Sequence, residues 1–300
     1  MSADDELAIR FEAHRGELRA VAYRMLGSLH EADDAIQETW LRLAKAGDDG
    51  IVNLGAWLTT VVGRVCLDML RARGARREDP VGAHLPDPIL SSPEDGVRSS
   101  PEDRAVQADS VGFAMMVILD TLDPAERLAF VLHDLFAVPF EQVAPIVGRT
   151  PAATRQLASR ARRRVRQPDT APDLARPREV IDAFLAASRG GDVNALLELL
   201  DPDVVLRADV GPGVALRVVR GAERVAGQAM SFRRLSHSCE PVLVNGAPGL
   251  RTAPNGRLTA ILAVTVGDGG ITEIHILADP VRLAELQRRQ AVLQRSEEGQ

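Results

Sequence analysis

The period of the apolar pattern changes once along this chain, and that change constrains the fold more than any single motif. Up to Pro168 apolar residues return every three or four positions, as in EADDAIQETWLRLAKAG, LGAWLTTVVGRVCLDMLRARGARR and LDPAERLAFVLHDLF. From Val204 onward short β-branched runs alternate with polar residues and are punctuated by NG, PNG and GDGG, the pattern of antiparallel strands and hairpins. The chain therefore needs a helical core and a separate α+β core. Its 300 residues, 45% of them hydrophobic, suffice for two or three domains.

Two proline-rich stretches mark the boundaries. HLPDPILSSPEDGVRSSPEDR falls largely in a linker at 79–107, and QPDTAPDLARP contains a second at 168–176. The expected domains are 1–78, 108–167 and 177–300. Ser100, Pro101, Glu102 and Asp103 have the chemistry of a helix start, so a helix is expected from there towards Leu122. Residues 177–189 predict a helix with Val180, Ile181, Phe184 and Leu185 inward, ended by Gly190 and Gly191, with Asp192 capping the next. Strands are expected at 204–209 and 214–219, a helix at 221–235 and a meander through 240–278.

The formal charge is -6. Cys66 and Cys239 are far apart without a CxxC or a histidine at ligand spacing, so neither a disulfide nor a zinc site is expected, and no metal or cofactor is implied. MSADDELAIR carries no apolar run behind a basic stretch and no later stretch has membrane-span length, so the expected location is cytoplasmic with no membrane contact.

Against that acidic background residues 110–170, with 8 basic and 6 acidic side chains, are net positive, and the arginines crowd into TPAATRQLASRARRRVR. Upstream, Asp123 and Glu126 form a capping box, and PFEQVAPIVG follows as a short helix that Pro145 should kink or end early. Gly148 breaks the chain and Thr150 with Pro151 starts the next helix. There Leu157, Ala158, Ala161 and Val165 form one stripe, opposite Arg155, Gln156, Ser159, Arg163 and Arg166, with Arg160 beside them. Two helices joined by a glycine turn, the second basic on its free face, suit a major groove. Arg155 and Gln156 then reach base edges, and Arg160, Arg162, Arg163 and Arg166 suit phosphates. A merely solvated charged face is the alternative.

Three helices precede the first linker. Leu7, Phe11, Leu18, Val21 and Leu26 point inward in the first, and Ser28 with Glu31 caps the second, whose inner face is Ala32, Ile36, Trp40 and Leu43. Asp33, Asp34, Gln37, Glu38 and Arg42 remain outside, either solvated or as an acidic docking surface. The third buries Leu54, Trp57, Leu58, Val61, Val65 and Met69, with Thr60, Arg64 and Arg71 on another face, and Arg73, Arg76 and Arg77 following.

DDAIQETWLRL, AWLTTVVGRVCLDMLRAR and the helix-turn-helix, in this order and spacing, resemble bacterial RNA polymerase sigma factors of the extracytoplasmic-function class, over residues 5–77 as region 2 and 108–167 as region 4. The resemblance implies that Asp33, Asp34, Gln37, Glu38 and Arg42 dock on the β′ clamp helices of core RNA polymerase, with the β flap as a further partner. It implies that Arg64, Asp68 and Arg71, extended by Arg73, Arg76 and Arg77, face the minus-10 element of promoter DNA, and that the helix of Arg155, Gln156, Ser159 and Arg160 reads the minus-35 element. With Trp57 expected inside, no aromatic is offered for base stacking.

The last domain looks like the SnoaL-like cone fold of the nuclear-transport-factor superfamily, which sigma factors of the SigJ type carry as a tail. The fold class expected is thus multidomain, with all-α region 2 and region 4 domains and an α+β SnoaL-like cone-shaped C-terminal domain. HLPDPIL resembles the subgroup's Trp-Leu-Pro-Glu-Pro motif with His84 in place of Trp, DVGPG its Asp-Gly-Gly-Gly motif, and DPVRL its Asn-Pro-Asp-Lys motif. These imply a regulatory contact between Leu85, Pro86, Asp87, Pro88 and Asp209, Gly211, Gly213. The function implied is an alternative sigma factor tuned by its own tail, with an unknown small ligand in that tail left open. A one-component DNA-binding regulator and a SnoaL-type cyclase or hydrolase using Asp209, His237 and His275 are the alternatives.

Overall fold

The computed structural model describes residues 3–47, 50–76, 84–91, 112–165 and 175–298. Among them, 3–76 and 115–165 belong to one compact unit and 84–91, 112–114 and 175–298 to a second.

The first unit begins with α1 (Ala3–Leu26), α2 (Leu29–Ala46) and α3 (Leu54–Arg76). The apolar stripe expected of α1 is buried throughout. Ser28 starts α2 because its extended backbone lets the side-chain oxygen accept the Glu31 N–H, and Gly47, at φ 68, ends it. Ala32, Ile36 and Leu43 are buried, but Trp40 is only half-buried, with its ring 5.1 Å from that of Phe11. Trp57 and Met69 of α3, expected inside, are half-buried as well. The reason is that α3 packs on two sides, burying Val62, Cys66 and Leu67 beside Leu58, Val61 and Val65.

The helices that follow are α4 (Phe113–Asp120), α5 (Pro124–Phe130), a π-helical turn over Val131–Leu135, α6 (Phe140–Val147) and α7 (Pro151–Val165), of which α5 and α6 cover that second side. A β-carbon on Gly63 of α3 would meet Leu132, Leu128 and Ile146 at 3.4, 3.5 and 3.6 Å, ordinary contact distances, so these side chains pack directly over this part of α3. Burial pushes the Cys66 thiol far up. Arg127 of α5 is also fully buried: its Nε donates to the Arg24 carbonyl at 2.9 Å and its Nη1 to Asp120 at 2.9 Å. That burial holds its pKa below the usual arginine value.

Two sequence expectations change in this region. The helix start expected at Ser100 lies outside the described residues, which resume before α4 at Phe113. Asp123 occupies the N-cap of α5 but makes no side-chain cap bond, because Glu126, its supposed partner in a capping box, is buried beneath arginines of α7. Pro145 does not end α6, which continues to Val147 and stops at Gly148. It sits on the exposed face together with Glu141, so the carbonyl deprived of a partner faces water.

The second unit contains β1 (Leu90–Ser91), α8 (Ala175–Gly190), α9 (Val193–Leu199), β2 (Leu200–Asp209), β3 (Arg217–Arg220), α10 (Ala222–Ser231), α11 (Arg233–Ser236), β4 (Cys239–Val244), β5 (Ala247–Thr252), β6 (Ala260–Gly267), β7 (Gly270–Leu277) and α12 (Pro280–Glu298). One mixed sheet runs in the order β1-β4-β5-β6-β7-β2-β3, antiparallel except for the parallel pair β2–β7. Phe184, Leu196, Val204, Leu206, Val225, Ile271 and Ile274 form the core between helices and sheet. This is the α+β domain expected from the change of period. The first two strands are displaced from the expected spans, and the helix expected at 221–235 breaks at Phe232. The stretch read as linker supplies strand β1 on β4. α12 is an addition: Asp279 caps it through the Val281 N–H at 2.8 Å, and its Leu283 and Leu286 are buried.

Candidate polymerase and promoter surfaces

Because its apolar stripe is committed to the bundle, α2 presents Asp34, Gln37 and Arg42 outward. Glu38 and Arg42 pair across one turn at 2.8 Å, and Asp34 stands 3.9 Å from His30. Asp33 differs from its neighbours, since its carboxylate accepts Arg19 Nε of α1 at 3.0 Å. Leu41, with 54% exposure, is an apolar residue amid these polar ones that sequence reading did not single out.

On α3, Arg64, Asp68 and Arg71 are all exposed, with Asp68 and Arg71 4.0 Å apart. Arg73 turns instead to Glu31 of α2 and forms an ion pair with it. Arg76 is the last residue of the helix, and Arg77 lies outside the described residues. Trp57, partly exposed on the same helix, is the aromatic that was expected to be unavailable.

α7 owes its position to a local cap and an apolar stripe. Thr150 Oγ1 accepts the Ala153 N–H at 3.2 Å, and Thr154, Ala158, Ala161 and Val165 are buried. Gly148 makes the preceding turn in the left-handed region at φ 73. Arg155, Gln156 and Arg163 are exposed and Ser159 is partly so. The Arg155 guanidinium lies 5.1 Å from the centre of the Phe140 ring, which holds the side chain near the N-terminus of α7. Arg160 and Arg162 are not free: they bond Glu126 at 2.6 Å and Asp134 at 2.5 Å. Arg166 lies outside the described residues.

In the second unit the residues around HLPDPIL and DVGPG meet. Asp209, 1% exposed at the end of β2, accepts the Leu85 N–H at 2.9 Å, the Gly211 N–H at 3.1 Å and Arg282 Nη1 at 2.9 Å, and His84 Nδ1 lies 3.5 Å away. Arg282 of α12 also bonds Asp87 through Nε at 2.9 Å and Nη2 at 2.6 Å, and the Leu85 carbonyl at 2.6 Å. Leu85, Pro86, Pro88 and Ile89 are buried, and the Ile89 backbone forms two hydrogen bonds with Asn245, its N–H donating to the side-chain Oδ1 at 3.0 Å and its carbonyl accepting the Asn245 N–H at 2.8 Å. Gly211 has φ 110, and a β-carbon there would meet Asp279 at 3.1 Å, so only glycine fits. Gly213 turns the chain at φ 82 in open space. Arg282 is the residue of this contact that sequence reading did not single out, where DPVRL marked it only as part of a motif.

No hydrogen bond or ion pair joins any two of Asp209, His237 and His275, the three residues considered as acid and base. His237 is exposed at the end of α11. His275 is buried beside Arg207, with Nη1–Nε2 at 3.3 Å, and its ring centre lies 5.7 Å from that of Phe113. Burial and the Arg207 charge push its pKa down to about 3, so the ring is neutral. Among the described residues no cluster of histidine, cysteine and carboxylate side chains could hold a metal ion, and no helix is long and apolar enough to cross a membrane.

The Sigma-70 region 2 family model matches residues 10–76, and that of Sigma-70, region 4 matches residues 113–165. A probable ECF RNA polymerase sigma factor of Mycobacterium tuberculosis, SigI, is 36% identical over 291 residues, covering 95% of this chain and 98% of that protein. The ECF RNA polymerase sigma factor SigJ of the same species is 38% identical over 288 residues, covering 90% and 91%. The crystal structure of Mycobacterium tuberculosis SigJ superposes with a TM-score of 0.74 at 36% identity and covers 92% of this chain and 98% of that one, the C-terminal α+β domain included. The chain therefore belongs to the ECF RNA polymerase sigma factors, the alternative sigma factors that direct core RNA polymerase to particular promoters.

Proposed function

We propose the following division of labour within this sigma factor. The outer face of α2, with Asp34, Gln37 and Glu38, docks on the β′ clamp helices, and region 4 meets the β flap. The exposed face of α3, with Arg64, Asp68 and Arg71, holds the minus-10 strand, and Arg155, Gln156, Ser159 and Arg163 of α7 read the minus-35 element. The observation that supports this reading is the partition of each helix: the apolar stripes are committed to packing, and the polar residues left outside include Asp34, Gln37, Arg64, Asp68, Arg71, Arg155, Gln156 and Arg163, which the resemblance assigns to polymerase and DNA. The C-terminal domain tunes activity by holding the 84–91 segment through Asp209 and Arg282. That segment lies in the connection between regions 2 and 4, so its capture limits how far the two can separate. With three donors already on Asp209, its carboxylate serves as a structural acceptor in this reading and not as a general base.

Run-off transcription with purified core polymerase tests the assignment. Asp34→Lys with Glu38→Lys should abolish core binding while circular dichroism stays unchanged, since neither side chain belongs to the apolar stripe. Core affinity retained by that double variant removes the docking face. A chain that binds promoter duplex equally well without polymerase is a one-component regulator instead.

A further inference from the structure

Three arginines of α7 do not extend freely into solvent. Glu126 of α5, whose side chain is 4% exposed, accepts Arg160 Nε at 2.6 Å and Arg164 Nη1 at 3.1 Å. Asp134 of the π-turn, 20% exposed, accepts Arg162 Nε at 2.5 Å. Helical spacing puts Arg160 and Arg164 on one flank of the buried stripe and Arg162 on the other, with Gln156, Ser159 and Arg163 between the flanks on the far side. The basic charge of the helix is thus split into arginines paired with carboxylates, Arg160, Arg162 and Arg164, and the exposed Arg155 and Arg163, which rest on Phe140 and Ser159 instead.

A carboxylate at hydrogen-bond distance from a guanidinium takes the acceptor position that a phosphate oxygen would fill. We propose that Glu126, assisted by Asp134, is an internal stand-in for DNA phosphate that withholds Arg160, Arg162 and Arg164 from non-specific duplex. The attraction of α7 for arbitrary DNA then rests on Arg155 and Arg163, and Gln156 and Ser159 carry a larger share of discrimination. Burial is what makes Glu126 effective. An exposed acid would exchange its arginines for water at little cost, whereas a buried one left without partners is strongly disfavoured. The proposal rests on α7 being the DNA-reading helix.

The full-length chain titrated with a promoter-free duplex over a range of salt tests it. Glu126→Gln should steepen the plot of log affinity against log salt by about 0.9 for each arginine released and tighten binding by up to about eightfold each at 0.1 M salt. Arg160→Ala should change neither quantity in the parent chain but should reverse part of the gain in Glu126→Gln. Should Glu126→Gln fail to fold, Asp134→Asn with and without Arg162→Ala gives the same comparison at a partly exposed acid. Slopes unchanged in both acid variants, or a slope flattened by Arg160→Ala in the parent chain, overturn the withholding role. Gln156→Ala in holoenzyme footprinting separates the two levels: loss of minus-35 protection with unchanged acid-variant slopes sinks this inference alone, and intact protection with steepened slopes sinks the groove-reading assignment alone.

Discussion

Arg282→Ala removes the one side chain that joins Asp209, Asp87 and the Leu85 carbonyl. Breaking a buried ion pair from one side costs about 3–5 kcal/mol because it leaves the other charge uncompensated. Here Asp209 keeps the Leu85 and Gly211 N–H groups, and Arg282 and Asp87 are 22% and 14% exposed, so water can replace part of the loss. The lower end, about 3 kcal/mol, is the reasonable figure for the docked 84–91 segment. At 1.4 kcal/mol per factor of ten this corresponds to roughly a hundredfold larger open population. Hydrogen exchange reads that population directly, since the Leu85 and Ile89 amides are both bonded only while the segment is docked. Both should exchange about a hundredfold faster in Arg282→Ala, with the core strand β7 unaffected. Arg288→Ala, whose side chain is 72% exposed and pairs within its own helix, is the control and should leave them unchanged. Unaltered protection of Leu85 and Ile89 in a folded Arg282→Ala chain refutes the assignment of Arg282 as the clasp.

Three further outcomes follow from the geometry. His275 is held neutral, with its pKa lowered to about 3 from 6.5, so the unfolded chain takes up the proton first: stability is whole above pH 6.5 and is lost progressively towards pH 3, by up to about 4–5 kcal/mol, and urea midpoints across that window should fall less steeply in His275→Leu. Gly63→Ala places its methyl at ordinary contact distance from Leu132, Leu128 and Ile146 within α3, so the gain in helix propensity should leave stability equal or raised by up to about 1 kcal/mol, and a lower melting temperature would contradict that packing. Gly249→Ala is the opposite case, because its methyl would stand 2.5 Å from the Leu262 carbonyl of the next strand; a loss of about 2 kcal/mol or more is expected, measured as a lower urea midpoint.

Local chemistry made much of this legible in the sequence. Ser28, Thr150 and Asp192 act as caps and Gly148 as a left-handed stop, because each needs only its immediate neighbours. The outward residues of α2 were readable for a related reason, since a committed apolar stripe defines the opposite face. What escaped were residues with two local uses or a distant partner. Glu126 has the spacing of a capping-box acid, yet its partners stand 34 and 38 positions away. Trp57 and Met69 sit on a helix that packs on two sides, which a single-stripe reading of α3 cannot anticipate. DPVRL marked the place of Arg282 but not its partners, because those are residues that only the folded sheet brings to it.

The distance between Arg282 and Asp87, 195 positions along the chain, sets an order in time. At about 5–20 residues per second, roughly 10–40 s of synthesis separate the emergence of the two. During that interval the helices of regions 2 and 4 have left the ribosome while the clasp does not yet exist. A nascent chain is therefore unclasped until Arg282 has been made, and any restraint from the tail begins only then. A chain cut short before α12 would keep the newborn state permanently.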